Sequence, residues 1–250
     1  MKMYRSLIFR SFRLKRTRDR LFLFLILLLD AFFSLLFIVS FDDPTEIKDD
    51  VFMFCVFSFM LAMLCGMIAG ANNGVYRMDT NTGWERYIRA LPPTPMQQAV
   101  ADLLIKLIYI LIYGTILMIY AIFSDNHTGL HLMCYVMNIF LFFATLFVII
   151  DIVYSFVVRF AQTRAELELM SLAAFVCGII IIVKLCKMIV SNIRIYSPVP
   201  FGHPLFDSVH YAFASFVASG KVTAVAVSSF VISLGSYFLV MWRLHERREM

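Results

Sequence analysis

Hydrophobic and polar positions along this chain fall into long blocks rather than short periodic runs. Six apolar stretches stand out: Leu21 to Phe41, Val51 to Ala71, Ala99 to Phe123, Leu132 to Val158, Leu169 to Val190 and Val222 to Trp242. A helix rises 1.5 Å per residue, so about 20 apolar residues cross a hydrocarbon core of roughly 30 Å. The pattern therefore predicts an all-α membrane protein with six transmembrane helices, residues 1–250 forming a single transmembrane domain. The longest polar interval, 72–98, is too short to hold a folded aqueous domain of its own.

Three intervals between or beside the spans have character. Residues 1–20 carry eight Lys or Arg against Asp19, with Tyr4, Leu7, Ile8 and Phe12 near helical spacing. That predicts an interfacial amphipathic helix, its cations among anionic lipid headgroups. The apolar run after it is too long for a signal peptide and ends in Ser40-Phe41-Asp42-Asp43 without a small-residue cleavage site, so it is expected to be retained. In the interval 72–98, residues Asp79 to Tyr87 suit a short surface helix. Leu91, Pro92, Pro93 and Pro95 are then expected to end any helix, because proline lacks the backbone donor. Residues 196–220 begin with prolines and continue with an apolar run, Phe206 to Ser219, too short to cross. They predict a re-entrant outer hairpin before the last span.

Charge sets the orientation. Counting Lys and Arg, alternate intervals hold eight (the N-terminus), three (72–98), two (159–168) and three (the tail), whereas the opposite intervals hold only Lys48, Arg194 and Lys221. Cations stay on the cytoplasmic side, so both termini and the 72–98 loop are expected inside. Composition agrees: 61% of residues are hydrophobic and 16% charged, against about 25% charged in soluble domains. The net charge of +5 lies beside apolar segments rather than on a soluble face, which argues against nucleic acid as a partner and for membrane lipid.

Catalytic signatures are missing. The chain has no phosphate-binding Gly-x-x-x-x-Gly-Lys-Ser/Thr loop, no His-Glu-x-x-His and no Gly-x-Ser-x-Gly. The five histidines, His127, His131, His203, His210 and His245, are scattered, and the five cysteines form no CxxC pair, so no metal and no cofactor are expected in this chain. Asn126-His127-Thr128 matches a glycosylation sequon in the expected outer loop between the third and fourth spans.

The ionisable residues within spans carry more meaning, since a charge in the bilayer costs several kcal/mol unless partnered. Asp30 is near the middle of the first span. Lys106 and Asp151 lie at similar depth, about seven residues from the inner ends of the third and fourth spans, which are expected to be antiparallel neighbours. They are expected to pair, although Asp102 also stands four residues before Lys106, the favourable order for a local pair.

The stretch Asp79-Thr80-Asn81-Thr82-Gly83-Trp84-Glu85-Arg86-Tyr87, followed by Ala90-Leu91-Pro92 and a span, resembles the Asp, Gly-Trp, aromatic, Leu-Pro stretch of small bacterial ABC-2 type transporter permeases. The six-span plan with both ends inside and a re-entrant segment before the last span is similar to that family as well. Pro93-Thr94-Pro95 departs from it, since many members continue Leu-Pro with Ile-Ser or Val-Ser-Arg. The resemblance implies a permease subunit of an ATP-driven exporter in the bacterial inner membrane, moving a hydrophobic or amphipathic substrate such as a peptide, antibiotic or lipid-like molecule. It implies two copies of a cytoplasmic ATP-binding subunit holding ATP and Mg, and a second permease, either the same chain or another. Asp79, Gly83, Trp84, Glu85, Arg86, Tyr87, Leu91 and Pro92 then form the ATPase-coupling element. A gradient-driven transporter using Asp30, Lys106 and Asp151, and a non-transporting scaffold subunit, are the competing expectations.

Overall fold

The computed structural model describes residues 21–29, 31–32, 47–71, 94–128, 132–160 and 216–249. Four helices dominate: α1 (Ile47–Gly70), α2 (Pro95–Thr128), α3 (Leu132–Phe160) and α4 (Gly220–Glu249). The described residues contain no strand. Within α2, α3 and α4, the stretches Pro95–Ile122, Leu132–Ser155 and Gly220–Glu246 are long and apolar enough to cross a bilayer, while the apolar part of α1, Cys55–Gly70, is shorter. The chain is thus a membrane protein whose described residues are helical. The expected helix over 1–20, the loop 72–93, the fifth apolar stretch and residues 196–215 lie outside the described residues, and so does Asp30.

Two boundaries differ from the sequence reading. Pro95 opens α2, four residues before the expected start of the span at Ala99. Thr94 is the N-cap, and Pro95 fills the first helical position, where its missing N–H is no loss. The Gln97 side chain accepts from the Thr94 N–H at 3.1 Å, and the Gln97 N–H faces the Thr94 hydroxyl at 3.4 Å, the reciprocal arrangement of a capping box. The second difference is at the other end of α2, which continues to Thr128. The sequon 126–128 therefore sits in helical backbone, and only residues 129–131 separate α2 from α3.

α2 and α3 lie side by side in the centre. Each touches both α1 and α4, whereas α1 and α4 do not touch each other. The most extensive contact joins α1 to α3, and its cause is visible in the residues that line it. Ala62, Cys65 and Ala69 are buried on α1, and Gly66 and Gly70 share their face. A Cβ on Gly66 would come within 2.7 Å of the Phe140 carbonyl oxygen, and one on Gly70 within 2.6 Å of both the Ala144 carbonyl oxygen and the Phe147 Cβ. Small residues four apart let two backbones approach closely in an environment where lipid offers no hydrophobic drive for helix association. The Phe59 and Phe143 rings meet edge to face beside this seam, with centroids 5.9 Å apart. Ile26, from the first apolar stretch, is buried against the same core.

Tyrosines are prominent among the other buried side chains. Tyr109, Tyr113 and Tyr120 of α2 and Tyr135 of α3 are all buried at helical spacing, and the rings of Tyr109 and Tyr113 stack with centroids 6.4 Å apart. Tyr120 shares a 3.0 Å hydrogen bond with Ser58 of α1, and the Tyr135 hydroxyl donates to the Cys55 carbonyl at 3.3 Å. Buried hydroxyls need such partners, and here each one also fixes the relative height of two helices.

Gly66→Ala and Gly70→Ala should each lower stability by about 1–3 kcal/mol, the usual cost of overpacking a filled contact. Gly235→Ala on α4, where an added Cβ would meet nothing within 4 Å, should cause no loss. Unfolding in mixed micelles measures all three, and equal stability across them would contradict the close α1–α3 seam.

Candidate functional site

The residue on which the elements converge is Lys106, in the fourth turn of α2 and fully buried. Its Nζ lies 2.6 Å from Asp151 Oδ2 of α3, donates to the Gly70 carbonyl oxygen of α1 at 2.6 Å, and stands 4.4 Å from the centroid of the Tyr237 ring of α4. One ammonium thus reaches all three other helices. Each contact answers a separate need. Asp151 is 3% exposed and compensates the charge. Gly70 is the last residue of α1, so its carbonyl is among those a helix leaves without an internal partner, and the negative end of the helix dipole adds to the attraction. The tyrosine ring presents its negative face to the cation. The Ser155 hydroxyl donates to the Asp151 backbone carbonyl at 2.8 Å, one turn further along α3.

A second polar contact lies one turn away. Asp102, four residues before Lys106, accepts from or pairs with His245 of α4, whose Nε2 is 3.1 Å from Asp102 Oδ2. The carboxylate cannot donate, so Nε2 carries the proton in this contact, and His245 Nδ1 is buried with no hydrogen-bond partner. α2 is therefore bound to α4 by Asp102 as well as through Lys106 and Tyr237.

At the opposite end of the helices is another polar layer. Asn138 of α3, 2% exposed, donates through Nδ2 to the Val217 carbonyl at 2.7 Å and to the Thr223 hydroxyl at 2.9 Å. Thr223 donates in turn to the Ser219 carbonyl at 3.2 Å. This holds the turn at residues 217–219 against α3 and sets where α4 begins. Thirteen residues separate Asn138 from Asp151 on α3, so the two layers are about 20 Å apart, within the depth of a hydrocarbon core.

Of the residues singled out in the sequence, Lys106 and Asp151 meet. Asp30 and the coupling residues Asp79, Gly83, Trp84, Glu85, Arg86, Tyr87, Leu91 and Pro92 are not among the described residues. Asp102 is turned to His245 rather than to Lys106. Cys55 and Cys134 are free thiols, and the described residues contain no group of three His, Cys, Asp or Glu placed to hold a metal ion. Tyr237, Gly70, His245 and Asn138 were not distinguishable as site residues from the sequence pattern alone. Gly66 and Gly70 carry a signal in their four-residue spacing, a small-x-x-x-small motif within an apolar stretch.

No protein-family model matches this chain, and neither the curated proteins nor the solved structures contain a match to it. Its reading rests on its own residues.

Lys106→Met should lower the yield of folded protein, because it removes the buried cation that pairs with Asp151, a loss of about 3–5 kcal/mol. Adding Asp151→Asn should recover much of it, since an absent pair costs less than a broken one. The monodisperse fraction after detergent extraction measures both, and a double variant no better than Lys106→Met would argue against the pair.

Proposed function

We propose that this chain is the permease subunit of an ATP-driven ABC-2 type exporter, seated in the bacterial inner membrane with six spans and both termini inside. The observation that supports this is where the 72–93 loop is attached. It leaves the helices after Gly70, whose carbonyl is held by Lys106, and it re-enters at the capped start of α2, three turns before the same lysine. The segment whose residues resemble a coupling element thus follows directly on a carbonyl held at the polar junction that the four described long helices share, and leads into the helix that carries the lysine.

In this reading Gly83 to Tyr87 dock in a groove of the ATP-binding subunit, with Trp84 and Tyr87 as anchors and Glu85 and Arg86 pairing at the rim. Asp79 precedes that element, and Leu91-Pro92 form a stiff link that carries displacement toward Thr94 and α2. ATP and Mg stay in the partner, present in two copies, and the membrane part is completed by a second permease. Binding of ATP shifts the population between inward-open and closed or outward-open states, and the substrate is a hydrophobic or amphipathic molecule.

Purification of the tagged protein from its native membrane in mild detergent tests the reading. A subunit with a phosphate-binding loop and ATPase activity should travel with it and be lost on Trp84→Ala combined with Arg86→Glu, with membrane insertion intact. A lone chain that carries out ion-gradient-driven flux in vesicles would replace this function with that of a secondary transporter.

A further inference from the structure

We infer that Lys106 has two carboxylate berths, Asp151 on α3 and Asp102 on its own helix, and that His245 decides which of them is free. The inference concerns this chain alone and does not depend on the identity of any partner.

Lys106 is fully buried, so wherever it points it must keep an anion, because an uncompensated buried charge costs several kcal/mol. In the structure that anion is Asp151 at 2.6 Å. The second candidate is one turn away. Helical side chains tilt toward the helix N-terminus, so the Lys106 stem lies over the turn that carries Asp102, and an acid four residues before a lysine is the favourable order for an intrahelical pair. In the structure Asp102 is engaged instead by His245 of α4, whose Nε2 lies 3.1 Å from its Oδ2, and we take that contact as what holds it from Lys106.

The two pairings are therefore coupled through the position of α4. With α4 against α2, His245 occupies Asp102, and Lys106 joins α3 and the end of α1. When the His245 end of α4 separates from α2, Asp102 is released one turn from the ammonium, and Lys106 can move to it without ever losing a counter-ion. That move frees the Gly70 carbonyl at the end of α1 and takes the cation from the buried Asp151, whose carboxylate must then take up a proton or be reached by water, the main cost of the exchange. A displacement of α4 is in this way linked to the attachment of α1 and α3, although α1 and α4 do not touch. The asymmetry in exposure fits the assignment: the Asp102 and His245 side chains are 33% and 13% exposed, whereas those of Lys106 and Asp151 are 0% and 4%. The more exposed pair is the one that opens first.

The test is suppression. The full-length protein is expressed with Asp151→Asn, His245→Ala, both, and both with Asp102→Asn, and the folded fraction is read by size-exclusion chromatography in mild detergent. Asp151→Asn alone should lower folded yield several-fold, and His245→Ala alone should have a small effect. The Asp151→Asn/His245→Ala protein should return to within about twofold of wild type, because removing the histidine opens the second berth, a strong non-additivity expected only for coupled sites. Adding Asp102→Asn should abolish that recovery. A double variant no better than Asp151→Asn would overturn the inference. So would wild-type yield from Asp151→Asn alone, since it would show that Lys106 needs no release of Asp102, and so would a recovery that survives Asp102→Asn.

Discussion

A lysine ammonium taken out of water among apolar helices must keep its compensating partners, and that requirement fixes how α1, α2, α3 and α4 meet. α1 and α4 are not in contact, yet Lys106 touches the Gly70 carbonyl of one and the Tyr237 ring of the other. It does so from the centre, where α2 lies on α3 and where Asp151 supplies the opposite charge. A hydrophobic side chain at this position would fill the same space without specifying which carbonyl ends beside it. The ion pair is no gain in affinity over apolar packing; what it supplies is a defined height for four helices whose apolar faces would otherwise slide.

The same demand for fixed height recurs at the other end. Asn138 pins Val217 and Thr223, Ser58 meets Tyr120, and Tyr135 reaches the Cys55 carbonyl. Between these layers the contact is made by shape, above all where Gly66 and Gly70 admit the backbone of α3. Two polar layers and one close seam therefore divide the work. The seam brings α1 and α3 together, and the layers prevent slippage along the membrane normal.

Much of this was legible in the sequence, for identifiable reasons. Apolar stretch length located α2, α3 and α4, because in a membrane length and composition are the dominant constraint. The meeting of Lys106 with Asp151 followed from depth: two opposite charges at the same distance from the inner ends of neighbouring spans have few other places to go. The contact between Asp102 and His245 did not follow, because it depends on α2 lying against α4, and nothing in the order of the chain makes those helices neighbours. Pro95 was read for the helix it could end and not for the one it begins. Proline ends a helix or begins one according to what precedes it, and the Thr94 to Gln97 spacing was the sign that it begins one. Gly66 and Gly70 were readable from spacing, whereas Gly70's second role, as the carbonyl that receives a lysine from another helix, required the fold.

The lysine also gives the exporter proposal its mechanical content. The segment between Gly70 and Thr94 starts beside the one group shared by every described long helix, which is where the proposal has its coupling element act. The direct measurement is solid-state NMR of the protein in lipid bilayers with the lysine Nζ and aspartate carboxyl carbons labelled. The account predicts a through-space correlation between a rigid lysine ammonium and an aspartate carboxylate that disappears in Lys106→Arg and in Asp151→Asn. A correlation that persists unchanged in Asp151→Asn, or a Lys106 signal with the mobility of a solvated side chain, would contradict it.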